Sequence, residues 1–152
     1  MTGALEPSEE ARASTDRLPQ WDMGSAVLSI SKEFHFSASH VLNRLPHFHQ
    51  CARMHGHNYI VVLELSARTD QLTDYGFVRD YGDLDGFKKW IDDTLDHRHL
   101  NDVLGELHSS AENLALWIFS TWAVRLPELV AVRVSETPKT WAECRPSRRR
   151  TD

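Results

Sequence analysis

Cysteine is scarce in this sequence, since only Cys51 and Cys144 occur among 152 residues. So sparse a pair does not support a disulfide framework, and a reducing, cytoplasmic location is expected. Without a run of about 18 apolar residues, no membrane span is expected, and the N-terminus lacks the apolar stretch of a secretory signal. Basic charge is not in excess either: the formal net charge is −5, so no nucleic-acid partner is expected.

The rest of the composition fits one folded domain between two tails. A hydrophobic fraction of 41% over 152 residues is enough for one core. Residues 1–25 are polar and acidic without a period, which predicts a disordered N-terminal tail. Residues 26–145 contain the periodic segments and form the expected domain. Residues 146–152 are rich in arginine, which predicts a basic, solvated C-terminal tail.

Hydrophobic alternation predicts four strands. Between residues 28 and 40 the even positions are mostly apolar and the odd ones are polar, so a strand with one buried face should end at His40. A second strand is expected from about residue 57 to residue 68. Alternating valines predict a third strand at residues 130–134, and a short fourth strand is expected at residues 140–144.

Two amphipathic segments between the second and third strands have helical spacing. Apolar residues three and four apart predict a helix at about residues 84–95. Ser109 and Glu112 fit a capping box, so a second helix should begin there and end before Pro127. The order ββααββ predicts an α+β fold: a four-stranded antiparallel sheet with both helices on one face. The open edges of such a sheet need cover, so a homo-oligomer is expected.

Histidine is unusually frequent, and six of the nine histidines fall between His35 and His57. His55 and His57 are two apart at the start of a strand, so both imidazoles should face one side and reach one metal ion. His40 would supply the third ligand of a catalytic zinc site, which leaves a fourth position open. The equally favoured alternative for His40 is a core histidine bonded to a backbone carbonyl. Cys51 precedes His55 in a loop and can approach the same point.

Three further groups have competing interpretations. His47 and His49 form another pair two apart, but no strand pattern surrounds them, so solvated loop histidines are expected. Asp96 and His97 follow a helix end and could form an acid–base pair, a surface salt link or a helix cap. Glu136 ends a strand, where it could face a pocket or cap a turn.

Five motifs occur in order along the chain. They are Phe36-Ser37-Ala38-Ser39-His40, Cys51-x-x-x-His55-Gly56-His57-Asn58-Tyr59, Leu95-Asp96-His97 with Leu100-Asn101, Ala111-Glu112-Asn113 and Glu136-Thr137. Together they resemble the 6-pyruvoyl-tetrahydropterin synthase family over roughly residues 28–144. The three residues between Cys51 and the His-Gly-His run are typical of its bacterial 6-carboxy-5,6,7,8-tetrahydropterin synthase branch. The pyruvoyl-forming branch typically has a longer gap.

The resemblance implies a T-fold whose sheets pair between three subunits into a barrel, with two trimers stacked as a homohexamer. Active sites then lie at subunit interfaces, and an aspartate–histidine pair comes from a neighbouring subunit. The family's functional positions fall here on the zinc ligands His40, His55 and His57, on the catalytic residues Cys51, Asp96 and His97, and on the pterin-binding Glu136.

The implied substrate is 7,8-dihydroneopterin triphosphate. The bacterial branch converts it to 6-carboxy-tetrahydropterin, acetaldehyde and triphosphate, in deazapurine or queuosine-type biosynthesis. One alternative is the pyruvoyl-forming synthase, which eliminates triphosphate without cleaving the carbon–carbon bond. The other is a zinc-stabilised binding module without turnover, in which Cys51 would be the fourth ligand of a closed metal shell.

Overall fold

The computed structural model describes residues 20–147, which form one five-stranded sheet and three α-helices. The strands are β1 (Val27–His40), β2 (His55–Arg68), β3 (Arg98–His99), β4 (Leu129–Thr137) and β5 (Thr140–Cys144). The helices are α1 (Asp85–Thr94), α2 (Leu100–Leu104) and α3 (Ala111–Trp122). Short 3-10 turns lie in several of the connections.

The two longest strands, β1 and β2, form the middle of the sheet. They pair antiparallel along their whole length, from Val27 opposite Arg68 to His40 opposite His55. β2 also pairs with β4, and β4 with β5, in both cases antiparallel. β3 lies on the other side of β1 and runs parallel to its last part. The strand order is therefore β3-β1-β2-β4-β5.

The expected four-stranded antiparallel sheet with two helices is wrong in two respects. The sheet is mixed, because β3 adds a fifth, parallel strand, and α2 is a third helix. β3 has two residues and α2 has five, so neither is long enough to show a period of its own in the sequence. The α+β class is confirmed.

The core lies between one face of the sheet and the helices. In β1 the even-numbered side chains from Phe34 to His40 are buried, and the odd-numbered ones between them are exposed or half-buried. Phe87 and Ile91 of α1 and Ile118 of α3 join the same cluster and have no exposed surface. Burying a side chain of this size stabilises the fold by about 1.5–3 kcal/mol. The predicted buried face of β1 is confirmed from Phe34 to His40, whereas Leu28 near the start of the strand is exposed.

Helix α3 begins one residue later than the capping-box spacing predicts. Its N-cap is Ser110, whose hydroxyl accepts a hydrogen bond from the backbone N–H of Asn113 at 3.4 Å. Ser109 is buried, and its carbonyl is turned toward the sheet. Two adjacent serines precede the helix, and assigned helix ends vary by one or two residues. Sequence spacing therefore could not choose between the two serines as the N-cap.

A 3-10 turn, Met23–Ser25, precedes β1 and is capped by the carboxylate of Asp22. This turn falls within residues 1–25, which are expected to form the N-terminal tail. Residues 1–19 of that tail and residues 148–152 of the expected basic tail lie outside the described residues. None of the helices in the described part of the chain is long and apolar enough to cross a membrane.

Candidate active site

Three histidines meet where β1 ends and β2 begins. His40 is the last residue of β1 and lies opposite His55, the first residue of β2. His57 lies two residues further along β2, opposite Ala38, so strand alternation places it on the same face as His55. This is the face that packs against the helices, and His40 is only 1% exposed. Strand register therefore brings the three predicted metal ligands together.

The ring nitrogens of these histidines converge on one point. Nε2 of His40 lies 3.0 Å from Nε2 of His55. The ring centroid of His57 is 5.1 Å from that of His40 and 4.9 Å from that of His55. One nitrogen from each ring lies within 4.8 Å of the other two. Within residues 20–147 this is the only group of three or more His, Cys, Asp or Glu residues that could share a metal ion.

Hydrogen bonds to the outer nitrogens leave the inner ones available to a metal. Nδ1 of His40 donates to the carbonyl of Ser109 at 2.7 Å, and Nδ1 of His55 donates to the carbonyl of Arg53 at 2.8 Å. Each bond leaves Nε2 as the unprotonated ring nitrogen. Nε2 of His57 is buried and has no hydrogen-bond partner among the described residues. Buried polar atoms rarely lack a partner, so the donor set fits a bound metal ion.

Burial also favours the neutral, metal-binding form of two of these imidazoles. Loss of hydration is the main reason that the pKa of His40 and the pKa of His57 lie below the ordinary histidine value. The negative charge of Glu136 acts in the opposite direction, since its carboxylate lies 3.8 Å from Nε2 of His40. Because burial dominates, it favours in both imidazoles the neutral form that a metal ligand must have.

Gly56 allows the two strands to approach each other between the ligands. A Cβ atom at this position would lie 3.1 Å from the carbonyl oxygen of Ala38 in β1. That contact is tight, and it is with backbone, so a larger residue would push the strands apart. The glycine between His55 and His57 therefore preserves the register on which the site depends.

Cys51 lies in a 3-10 turn, Gln50–Ala52, four residues before His55. Its backbone N–H donates to Nδ1 of His49 at 3.1 Å, and its carbonyl accepts from the N–H of Leu42 at 3.0 Å. The thiol is free and partly exposed, and Cys51 is not a member of the three-histidine group. His49 caps this turn from an exposed loop. Cys51 therefore lies outside the group of residues that could share a metal ion in the described part of the chain.

Asp96 and His97 form a pair beside β1. One Asp96 carboxylate oxygen accepts from the backbone N–H of Ser37 at 2.8 Å, and the other accepts from Nδ1 of His97 at 2.8 Å. These two bonds hold the pKa of Asp96 below its usual value, and the bond from Ser37 has the larger effect. His97 has a positive φ of 55°, and its side chain is 83% exposed. Neither side chain hydrogen-bonds to the three histidines in the described structure.

Replacing Asp96 by asparagine tests whether this pair stabilises the fold, because the effect should depend on pH. Because the folded-state pKa of Asp96 lies below its unfolded value, its carboxylate stabilises the fold above the unfolded pKa, and this stabilisation is lost as pH falls through the folded pKa. The variant should be less stable by about 0.5–1 kcal/mol above pH 5, with the difference shrinking below about pH 4. Urea unfolding at several pH values measures it. Asp102→Asn, at an exposed carboxyl nearby, is the control. A difference independent of pH would contradict this assignment.

Two cavities lie near this end of the sheet. One, of about 180 Å³, is lined by Glu136 together with Ser110 and Glu112 at the start of α3. The other, of about 500 Å³, has both His57 and His97 in its lining. The first cavity places the half-buried carboxylate of Glu136 beside His40. Because Ser37, Ser39 and Asn58 also line the second cavity, it lies on the face of the sheet opposite to the His57 imidazole.

The relationship to known proteins follows from the whole domain. The family model described as 6-pyruvoyl tetrahydropterin synthase matches residues 29–147. The chain belongs to the 6-pyruvoyl tetrahydropterin synthase family. An Archaeoglobus fulgidus protein, provisionally named 6-carboxy-5,6,7,8-tetrahydropterin synthase, is 36% identical over 119 residues, which are 78% of this chain and 95% of that protein. The Synechocystis sp. protein of the same name is 34% identical over 113 residues, which are 71% of this chain and 85% of that protein.

Solved structures agree with this membership. The Caenorhabditis elegans 6-pyruvoyl tetrahydropterin synthase structure superposes with a TM-score of 0.70 at 27% identity, covering 81% of this chain and 98% of that chain. The curated relatives are named as pterin synthases, so the chain belongs to a family of enzymes.

Sequence reasoning missed the backbone groups that orient two of the three histidines. The carbonyl of Ser109 orients His40, and the carbonyl of Arg53 orients His55. A backbone carbonyl is present at every position, so no residue type could have marked these two. Asn101 was visible within a motif but had no assigned role.

Proposed function

We propose that this chain is a zinc-dependent 6-carboxy-5,6,7,8-tetrahydropterin synthase, a carbon–carbon lyase. It would convert 7,8-dihydroneopterin triphosphate to 6-carboxy-tetrahydropterin, acetaldehyde and triphosphate, in the cytoplasm and in deazapurine or queuosine-type biosynthesis. The observation that supports it most directly is the group of three converging histidines that excludes the free Cys51. Catalytic zinc has three protein ligands and an open position, whereas structural zinc has four ligands.

The residues of the site have complementary chemistry for this reaction. His40, His55 and His57 would hold the metal. When bound, zinc supplies Lewis-acid stabilisation of negative charge on the oxygens of the substrate side chain. Cys51 would accept a proton from the side-chain carbon. Its carbonyl is anchored to Leu42, two residues after His40, which keeps the thiol-bearing turn close to the end of β1.

Glu136 would orient the pterin ring. Its two carboxylate oxygens can accept in-plane hydrogen bonds from the amino group and a ring N–H of a pterin, and such paired bonds fix orientation. The carboxylate is 28% exposed, so a ligand can reach it, and it lies 3.8 Å from Nε2 of His40. A pterin ring held by Glu136 would therefore have its own side chain directed toward the three histidines.

Asp96 and His97 would act as proton carriers in the site of a neighbouring subunit. The exposure of His97 and its lack of a bond to the three histidines support this role. The sheet also favours assembly. β3 covers two residues of β1, and β5 ends the sheet on the other side, so long stretches of edge backbone are unpaired in the described part of the chain. Edge pairing among three subunits into a barrel, and stacking of two trimers, would give a homohexamer.

The pyruvoyl-forming reaction is the second candidate, since the Caenorhabditis elegans structural neighbour carries that name. It would use the same metal site but leave the carbon–carbon bond intact. The short spacing between Cys51 and His55 favours the carboxy-forming reaction. A zinc-binding module without turnover is less well supported, because Cys51 is outside the ligand group.

Product analysis tests the proposal. Zinc-loaded protein incubated with 7,8-dihydroneopterin triphosphate should release acetaldehyde and 6-carboxy-tetrahydropterin in equal amounts. The same protein stripped of metal by a chelator is the control and should release neither. A 6-pyruvoyl product without acetaldehyde would assign the chain to the other reaction. No turnover by protein with bound zinc would contradict both enzymatic candidates.

A further inference from the structure

A single side chain holds the backbone just beyond the metal ligand His40. The amide of Asn101, in α2, bonds to both backbone groups of Val41. Its Oδ1 accepts from the N–H of Val41 at 2.9 Å, and its Nδ2 donates to the carbonyl of Val41 at 2.9 Å. Val41 directly follows β1, where the strand ladder to β2 has ended. Asn101 therefore replaces the missing ladder with two hydrogen bonds.

Ser109 connects this amide to the imidazole. Its hydroxyl lies 3.3 Å from the carbonyl of Val41 and 3.3 Å from Oδ1 of Asn101. It can donate a hydrogen bond to only one of these acceptors at a time. Its carbonyl accepts from Nδ1 of His40 at 2.7 Å. Ser109 and His40 are each 1% exposed, so water does not readily replace these bonds. Asn101, Val41, Ser109 and His40 thus form a closed chain of contacts.

We infer that Asn101 is a positioning residue for the metal ligand His40. The inference rests on the proposed function only in taking zinc as the metal. Asn101 fixes the strand end on one side of His40 and the hydroxyl of Ser109 on the other, so the imidazole is held with Nε2 toward His55 before any metal arrives. A ligand that is already oriented gives a higher metal affinity than one that must be ordered on binding.

Zinc affinity measured without substrate tests this role. Asn101→Leu removes both bonds to Val41 at similar volume, and it should raise the zinc dissociation constant of the metal-free protein by about tenfold or more. Ser109→Ala removes the hydroxyl but keeps the carbonyl that accepts from His40, and it should raise the constant by a smaller factor. Competition with a chromophoric chelator gives the constants, and thermal melts confirm that each protein is folded.

A control must separate positioning from general loss of stability. Leu104→Ala removes a buried side chain from the same short helix without touching the amide of Asn101. It should lower the melting temperature and leave the zinc dissociation constant within about twofold of wild type. If Leu104→Ala weakened zinc binding as much as Asn101→Leu does, at a similar loss of stability, the inference would be overturned.

The remaining outcomes are also decisive. A folded Asn101→Leu protein with wild-type zinc affinity would overturn the inference. If Asn101→Leu does not fold, Ser109→Ala is the variant that tests the inference. An unchanged zinc dissociation constant in Ser109→Ala would then overturn the inference. The titration contains no pterin, so a wild-type protein that binds zinc without turnover would refute the proposed function alone.

Discussion

Replacing Cys51 by alanine is expected to abolish turnover of 7,8-dihydroneopterin triphosphate while leaving zinc bound. A positioned proton acceptor typically contributes about 10²–10⁴-fold to a rate, so acetaldehyde release should fall by a factor in this range. Zinc should remain because the three histidines form the ligand group without the thiol. Initial rates of acetaldehyde formation, together with metal content per subunit, measure the two effects separately.

The second cysteine provides the matched control for this experiment. Cys144, in β5, is also free and half-buried, and burial raises the pKa of its thiol. Cys144→Ser should retain activity within about twofold, as a substitution outside the proposed chemistry. Zinc loss in Cys51→Ala would instead identify Cys51 as a metal ligand. Activity above a tenth of wild type in that variant would reject Cys51 as the proton acceptor.

Replacing His57 by alanine is expected to weaken zinc binding by more than about 100-fold and to abolish activity, since loss of a ligand exceeds the 10–100-fold cost of losing an outer contact. The metal-free variant should fold nearly as well as the metal-free wild type, because Nε2 of His57 makes no hydrogen bond in the described structure. Zinc at 100 times its dissociation constant should stabilise the wild type by about 2.7 kcal/mol. Melting curves with and without zinc should show this gain in the wild type and not in His57→Ala.

An exposed histidine serves as the control for the metal experiment. His47 lies in the loop between β1 and β2 and is outside the three-histidine group. His47→Ala should keep the zinc-dependent rise in melting temperature. If His47→Ala lost it to the same extent as His57→Ala, or if His57→Ala kept it, the ligand assignment would be wrong.

Much of the three-histidine group was predictable because strand geometry is local. Side chains two apart on a strand share a face, which places His55 and His57 together wherever β2 lies. The alternation in β1 also put His40 on the buried face, and burial confirms this. Alternation could not decide whether His40 is a metal ligand or a core histidine bonded to a carbonyl. The structure shows that His40 has the carbonyl bond through Nδ1 and faces the other histidines through Nε2.

The fifth strand and the third helix were missed for the opposite reason. Arg98 and His99 extend the sheet because the preceding His97 turns with positive φ and donates its backbone N–H to Ser37 at 2.7 Å. These contacts join positions about sixty residues apart. A pattern within a short window of sequence contains no information about such a pairing.

By itself the sequence determined the α+β class, the buried face of β1, the His-x-His pair and the family, because all of these depend on residue type and on spacing along one segment. Only the tertiary structure decided that His40 lies directly across from His55, that the carbonyl of Ser109 orients its imidazole, and that Asn101 holds the strand end. These features depend on strand register and on backbone groups. Every residue has the same backbone groups, so only the folded chain shows which of them meet.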